Sequence, residues 1–415
     1  MEKQNNRLSD KNFILIAING ILFRLGAVFI EVNTILPLFI KQISGSSTLV
    51  GLINSMGKAG WFLPQILSAH LLDGRPYKKP LYVRCALLRC LSLAAIPFIV
   101  LEYNRLGAST VLVLLILAYA VYSLAGGMGG VAAMDIIGGT VASHKRALLF
   151  SIRWGVGGVM AIGGGYLAKL ILKSVEFPEN FAILFGLAAF FISVALMIFA
   201  FVDEPPSPAS NSKKMQFHEF IVSGIRLLAR DSNYRFLYLT RVFMGIWSGA
   251  LPFYILYART ALDIPPYYAG IFAIGQSLGQ ILPNTMWGSI GRRFGNQRII
   301  QIGAGLTPLM PLIALTVRFL PQPLWTPALW VMFFAGAAAL NGIIVGSMSY
   351  MLDISPAASR SKYIGTFNTL IAPWMFMPMV AGAVLRFIGF TWLFAIALVG
   401  GFMAWRVSLS LRKAS

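Results

Sequence analysis

Apolar residues fill the chain in successive runs of about 20, separated by short polar or basic segments. A helix of that length crosses the roughly 30 Å apolar core of a membrane, so each run predicts one transmembrane helix. The predicted spans are 13–40, 48–71, 81–102, 108–132, 149–172, 181–202, 236–258, 267–290, 298–319, 325–351, 363–385 and 390–409. The polar start before the first run lacks the pattern of a cleaved signal peptide.

Composition agrees with this pattern. Of 415 residues, 57% are hydrophobic and 12% are charged, with a mean hydropathy of +0.74. A soluble domain carries about a quarter charged residues. The sequence therefore predicts an all-α membrane protein with twelve transmembrane helices.

The basic residues behind the net charge of +20 are distributed unevenly among the loops. One set of alternate loops holds most of the basic residues: Lys3, Arg7, Lys11, Lys79, Lys145, Arg146, Lys213, Lys214, Arg298, Arg360, Lys362 and Lys413 among them. By the positive-inside rule both termini are cytoplasmic, which requires an even number of spans. The basic excess indicates topology and attraction to anionic membrane lipids, and it gives no reason to expect nucleic-acid binding. We predict a multi-pass protein of the cytoplasmic (inner) membrane.

The chain divides into two similar halves. A segment at 203–235, which begins Pro/Ser-rich and continues as an amphipathic helix, separates residues 1–202 from residues 236–415. "GLINSMGKAGWFLPQ" (51–65) aligns without gaps to "GIFAIGQSLGQILPN" (270–284), and "MDIIGGTVASHKR" (134–146) has a shorter echo in "LDISPAASRSK" (352–362). The repeat predicts two pseudo-symmetric six-helix bundles, a plan used by transporters that bind solute at the membrane midplane.

Two loops in corresponding positions resemble a known family signature. "LLDGRPYKKP" (71–80) and "GSIGRRFGNQR" (288–298) resemble the loops between spans 2 and 3 and between spans 8 and 9 of the major facilitator superfamily. With twelve spans, cytoplasmic termini and a central loop, the resemblance covers essentially the whole chain. It implies a monomeric secondary transporter in which spans 1, 4, 7 and 10 line a central cavity.

Arg24 and Glu31 are the only charged residues in the first run. Seven residues of helix place them within about 20° of each other and about 10.5 Å apart along the axis, on one face. An ionisable group at the membrane centre costs at least about 2.5–3.5 kcal/mol and usually faces a bundle interior or water. On one reading, Arg24 binds an anionic group of the solute and Glu31 binds a proton or a cationic group. The other reading is a structural ion network.

Further polar residues lie within predicted spans. Lys58 is in the middle of span 2, and Gln65 follows two turns later. On one reading Lys58 contacts Glu31 or the solute, and on the other it forms a structural pair. In the second half the candidates are Gln276, Gln280 and Asn284, at i, i+4 and i+8, and Asn341. Their amides suit a polar solute, and equally suit hydrogen bonds between helices.

The family resemblance also implies a latch at the cytoplasmic side. The predicted cytoplasmic gate comprises Asp73, Arg75, Lys78, Asp135, Arg292, Arg293 and Asp353. Helix capping and topology are the alternative role for these residues.

Glycine clusters at 126–130 and 155–165 follow no strand and lack the Lys-Ser/Thr of a phosphate loop, so they predict close helix packing. Two cysteines and three histidines form no metal-ligand pattern, and no cofactor is expected.

These features favour a secondary active transporter of a small organic solute, working by alternating access and coupled to protons. Arg24 and Lys58 outnumber Glu31, which favours an anionic or zwitterionic solute. Multidrug or amphipathic-compound efflux by proton antiport is the alternative. A non-transporting receptor with the same fold is the alternative of another class. An enzyme is not expected, because no nucleophile–base or metal constellation is present.

Overall fold

The described residues of the computed structural model are 2–72, 75–141, 143–206, 225–355, 366–368 and 370–413. Within these ranges the chain is helical and contains no strand, which confirms the all-α fold class. The chain separates into two compact units, residues 1–44 with 56–214 and residues 45–55 with 215–415. Of the predicted amphipathic helix, residues 225–230 are described and helical, and the remainder lies outside the described residues.

The helices of the first half are α1 Glu2–Val28, α2 Ile35–Ser44, α3 Ser47–Phe62, α4 Gln65–Leu72, α5 Lys79–Leu101, α6 Tyr103–Thr140, α7 Ser143–Ser174 and α8 Glu179–Ala200. Helix α3 belongs to the second unit up to Ser55 and to the first unit from Met56. In the first unit α1 packs against α7 and α8, and α5 packs against α6 and α8.

The helices of the second half are α9 Ser232–Gly249, α10 Leu251–Ala261, α11 Tyr268–Ile281, α12 Pro283–Phe294, α13 Asn296–Leu306, α14 Leu309–Thr316, α15 Trp325–Ile354 and α16 Met377–Ser408. Here α9 packs against α16, and both α11 and α13 pack against α15. Gly389 within α16 is not helical (φ +70°, ψ 176°), so it separates two helices, one in each of the last two predicted spans.

Within the described residues, nine helical stretches are long and apolar enough to cross a membrane. Spans 2 and 8 fall outside this number because each is broken into shorter helices, α3 and α4 in one and α11 and α12 in the other. Spans 11 and 12 form one continuous stretch, 366–408. The architecture is therefore consistent with twelve spans.

Helix breaks recur at corresponding places in the two halves. The helix of span 2 is interrupted at 63–64 and that of span 8 at Leu282, in both cases at the aligned prolines Pro64 and Pro283. A proline has no N–H and its ring displaces the carbonyl four residues earlier, so an apolar helix ends there. Span 1 is interrupted between Val28 and Ile35, and span 7 is interrupted at Ala250.

The aligned glycines Gly60 and Gly279 have the same packing role. A Cβ on Gly60 would lie 2.7 Å from the side chain of Ser123 in α6, and one on Gly279 would lie 2.2 Å from the carbonyl oxygen of Phe334 in α15. Opposite Gly60, a Cβ on Gly127 would lie 2.5 Å from the carbonyl oxygens of Gly60 and Trp61. The first glycine cluster therefore lets α6 approach α3 closely, as predicted.

We expect Gly127→Ala to lower stability by about 1–3 kcal/mol, because the new methyl group overlaps two backbone carbonyls that cannot move aside cheaply. Gly139→Ala is the matched control, because it lies on the same helix and its Cβ would have no neighbour within 4 Å. Melting temperatures of the two purified variants check this. Equal melting temperatures would show that the α3–α6 contact does not require Gly127.

Candidate functional site

The first span is not one continuous helix, and this corrects the geometry predicted for Arg24 and Glu31. Helix α1 ends at Val28, and Glu31 lies in an irregular segment before α2. The common helical face and the axial separation, both derived from an unbroken helix, are therefore wrong. Irregular backbone at membrane depth exposes polar groups and is tolerated where it lines a cavity or is buried in protein.

Glu31 is held by its own segment. Its Oε1 accepts hydrogen bonds from the backbone N–H of Asn33 at 3.3 Å and from Nδ2 of Asn33 at 3.1 Å. Its backbone carbonyl accepts from the N–H groups of Thr34 and Leu36. The hydroxyl of Thr34 is buried without a hydrogen-bond partner in the part of the chain that the structure describes. The break therefore fixes a carboxylate among polar groups that a continuous helix would not provide.

Arg24 and Lys58 both interact electrostatically with Glu31, so the structure brings these three predicted residues together. The Nζ atom of Lys58 is buried and has no hydrogen-bond partner among the described residues. The guanidinium carbon of Arg24 lies 3.5 Å from the ring centroid of Trp154 in α7. One carboxylate thus faces two cations from two helices.

Tyr119 in α6 completes this site and was not predicted from the sequence. It is 4% exposed, interacts electrostatically with Glu31, and its hydroxyl oxygen lies 2.7 Å from the position of a Cβ on Gly57. A tyrosine in an apolar run gives no sequence signal by which to identify it. The site offers a carboxylate that can take up a proton and cations that can bind an anionic group.

The amides predicted in the second half lie at the break in span 8. Nδ2 of Asn284 donates to the backbone carbonyl of Gln280 at 2.9 Å, and Nδ2 of Asn341 donates to the same carbonyl. Leu282, between α11 and α12, has helical dihedrals (φ −57°, ψ −41°), so the predicted stripe of Gln276, Gln280 and Asn284 crosses a proline position within one span. Asn284 and Asn341 thus hydrogen-bond to the backbone beside Pro283, the role that the alternative of hydrogen bonds between and within helices describes.

Gln276 and Gln65 remain candidates. Gln276 is 7% exposed, and its Nε2 has no hydrogen-bond partner among the described residues. Gln65 is partly buried at the first position of α4.

The residues predicted for the cytoplasmic gate are placed within their own units. Asp73 lies outside the described residues. Arg75, Arg292 and Arg293 are exposed. Asp135 interacts electrostatically with Lys78, and Asp353 accepts a hydrogen bond from Nδ2 of Asn296 at 2.8 Å. In both units an aspartate near the end of a long helix therefore interacts with a residue between two earlier predicted spans, 2 and 3 in the first unit and 8 and 9 in the second.

Glu204 is a further residue of this region that the sequence did not reveal. Its two carboxylate oxygens accept hydrogen bonds from the backbone N–H groups of Lys78 and Lys79, at 2.7 and 2.8 Å. Nζ of Lys79 donates to the carbonyl of Val202 at 2.9 Å. A carboxylate at a helix N-terminus satisfies amides that have no intrahelical partner. The start of the central linker thus fixes the loop before α5.

Residues 12–371 match the sequence profile described as the Major Facilitator Superfamily. No curated protein sequence matches the chain significantly.

The fold is similar to that of several solved transporters. A bacterial homologue of the iron transporter ferroportin in an inward-facing state is 15% identical with a TM-score of 0.71, covering 98% of each chain. A mutant of the nucleoside transporter NupG is 14% identical with a TM-score of 0.70, covering 97% of this chain and 98% of that one. A D-xylose-proton symporter is 15% identical with a TM-score of 0.68, covering 97% of both. At these identities the likeness shows the fold alone.

Proposed function

Because the chain belongs to the major facilitator superfamily, and is therefore a multi-pass membrane transporter and not an enzyme, we propose that it is a secondary active transporter of a small organic solute. Alternating access across the cytoplasmic membrane, driven by protons, is the proposed mechanism.

The observation that carries the proposal is the charged site at the break in span 1. Glu31 faces Arg24 and Lys58, and the ammonium group of Lys58 is buried without a hydrogen bond in the described part of the chain. A buried charge that served packing alone would be expected to have hydrogen-bonded partners. An unsatisfied cation beside a shared carboxylate is what a binding site for an anionic group provides.

The proposed coupling ion is the proton, with Glu31 as its carrier. Apart from Glu102 at the end of the third predicted span, Glu31 is the one acidic residue within the twelve predicted spans. Burial favours a neutral carboxylic acid and nearby cations favour the carboxylate, so a change of surroundings shifts Glu31 between the two forms.

The proposed solute is an organic anion or zwitterion, because two cations face one carboxylate. Purified protein can be tested for thermal stabilisation by carboxylates, zwitterions and cationic drugs, since a ligand stabilises the folded state according to its concentration and affinity. Each stabilising compound is then tested for counterflow in proteoliposomes. We expect an anion or zwitterion to bind and exchange. Binding without exchange would favour a receptor and would reject the transport proposal.

Both termini and the 203–235 segment are proposed to be cytoplasmic. After replacement of Cys85 and Cys90, a cysteine at Ser210 should label only in opened cells, whereas one at Asn104, between predicted spans 3 and 4, should label in intact cells. The reverse labelling pattern would invert the topology.

A further inference from the structure

Two arginines and two glycines interlock α1 and α7. A Cβ on Gly20 would lie 2.0 Å from Nε of Arg153, and a Cβ on Gly157 would lie 3.2 Å from Cβ of Arg24. Gly20 and Arg24 are four residues apart in α1, and Arg153 and Gly157 are four residues apart in α7, so each pair shares a helix face. Each arginine therefore lies over the glycine of the other helix, and the two glycines admit two cations to one contact.

Arg153 repels Arg24 electrostatically, and Glu31 attracts Arg24 more strongly than Arg153 repels it. Arg153 donates from Nη2 to Oδ1 of Asn19 at 3.2 Å, and Nδ2 of Asn19 donates to the carbonyl of Ala195 at 2.8 Å. Within the described residues no carboxylate lies within 4.0 Å of Arg153. Arg24 lies over the ring of Trp154, whose side chain is 41% exposed.

Both arginines are partly exposed, so the contact is not sealed from a ligand. A guanidinium group presents five N–H donors in a planar fork that matches an oxyanion, and Asn19 accepts from one Nη of Arg153. Glu31 offsets part of the repulsion at Arg24, but within the described residues Arg153 has no carboxylate within 4.0 Å, so an anion bound between the two cations would be favourable.

We propose that Arg24 and Arg153 together bind an oxyanion group of the transported solute, a carboxylate or a phosphate monoester, on an organic body that packs against Trp154. This rests on the transport function proposed above and assigns its substrate class. It separates the roles within the first unit: the two arginines bind the anionic group, and Glu31 with Lys58 remains for proton coupling.

The first test measures the melting temperature of the purified full-length protein with phenyl phosphate, benzoate or neutral benzamide, at constant ionic strength set with chloride. We expect phenyl phosphate or benzoate to stabilise the protein and benzamide to have no effect, and the stronger of the two anions identifies the oxyanion. Absence of stabilisation by both anions, or equal stabilisation by benzamide, would overturn the proposal.

The second test asks whether Arg153 and its glycine partner carry that binding. We expect Arg153→Gln to weaken binding of the stabilising anion about ten- to hundredfold, the equivalent of one charge-assisted hydrogen bond. Gly20→Ala displaces the guanidinium without removing its charge and should weaken binding in the same direction. Gly155→Ala is the matched control on α7, because its Cβ would have no neighbour within 4 Å.

Wild-type affinity in folded Arg153→Gln protein would overturn the site. If that variant does not fold, wild-type affinity in Gly20→Ala overturns it instead. These binding measurements do not require transport, so the oxyanion site and the transport function can be rejected independently of each other. If a solute exchanges by counterflow but binds equally well to wild-type and Arg153→Gln protein, only the oxyanion site is rejected. If an anion binds through Arg153 but never exchanges, only the transport proposal is rejected.

Discussion

Glu31→Gln is expected to abolish proton-driven accumulation of the solute while leaving counterflow intact. A glutamine side chain has nearly the shape of a protonated glutamate but cannot release a proton. Its Oε1 can still accept the two hydrogen bonds that Asn33 donates to Glu31. The binding geometry is therefore retained and only the titration is lost. With a proton gradient imposed across proteoliposomes, the internal solute concentration should reach the external level and stop there.

Glu102→Gln is the matched control for this experiment. Glu102 is an exposed carboxylate at the end of α5 whose nearest cation, Arg105, is 3.7 Å away and also exposed. An exposed pair of this kind contributes little to stability, so accumulation should be unchanged. Full accumulation by a folded Glu31→Gln protein would remove Glu31 from the coupling step.

The architecture could be predicted from the sequence because the membrane imposes a simple rule. Each apolar run must satisfy its backbone internally, so it becomes a helix. The breaks at Pro64 and Pro283 are implicit in the sequence, since proline ends or kinks a helix. Pro37, in the first turn of α2, indicates a bend near the outer end of span 1, but the full break from Val28 to Ile35 was not predicted, because "FIEVNT" contains no proline or glycine and the apolar run continues across it. There, local hydrogen bonds from Asn33 to Glu31 replace helical ones, and hydropathy does not detect such a substitution.

The candidate site was predicted in part, and partly on wrong geometry. Charges deep in apolar runs are costly wherever they occur, so Arg24, Glu31 and Lys58 could be identified without knowing how they meet. Arg153 was missed although it lies within "LLFSIRWG" (148–155), because the start of a span is also where topology places basic residues. Only the contact with Gly20 distinguishes a basic residue placed by topology from one that takes part in a binding site. That contact depends on the α1–α7 packing, which periodicity does not specify.

Lys58→Met is expected to stabilise the fold and to impair function at the same time. The ammonium group of Lys58 is buried without a hydrogen bond in the described part of the chain, and an ionisable group at membrane depth costs at least about 2.5–3.5 kcal/mol. Methionine is an apolar residue of similar length and removes that cost, while Glu31 retains Arg24 and the hydrogen bonds from Asn33. We therefore expect a higher melting temperature with lost accumulation, a trade-off typical of functional residues.

Arg89→Met is the contrasting variant: Nε of Arg89, like Nζ of Lys58, is buried without a hydrogen-bond partner among the described residues, but its guanidinium packs against aromatic rings. It is 8% exposed, and its guanidinium lies 4.6 Å from the ring centroid of Tyr122 and 5.2 Å from that of Phe23. Loss of these cation–π contacts should lower the melting temperature. In the double variant Glu31→Gln/Lys58→Met neither charge remains, so its stability should equal or exceed that of Glu31→Gln alone, which leaves Lys58 without its carboxylate. The contrary result is that Lys58→Met lowers stability as Arg89→Met does and the double variant restores it. In that case Glu31 and Lys58 form a structural pair, and the functional role proposed for Lys58 is rejected.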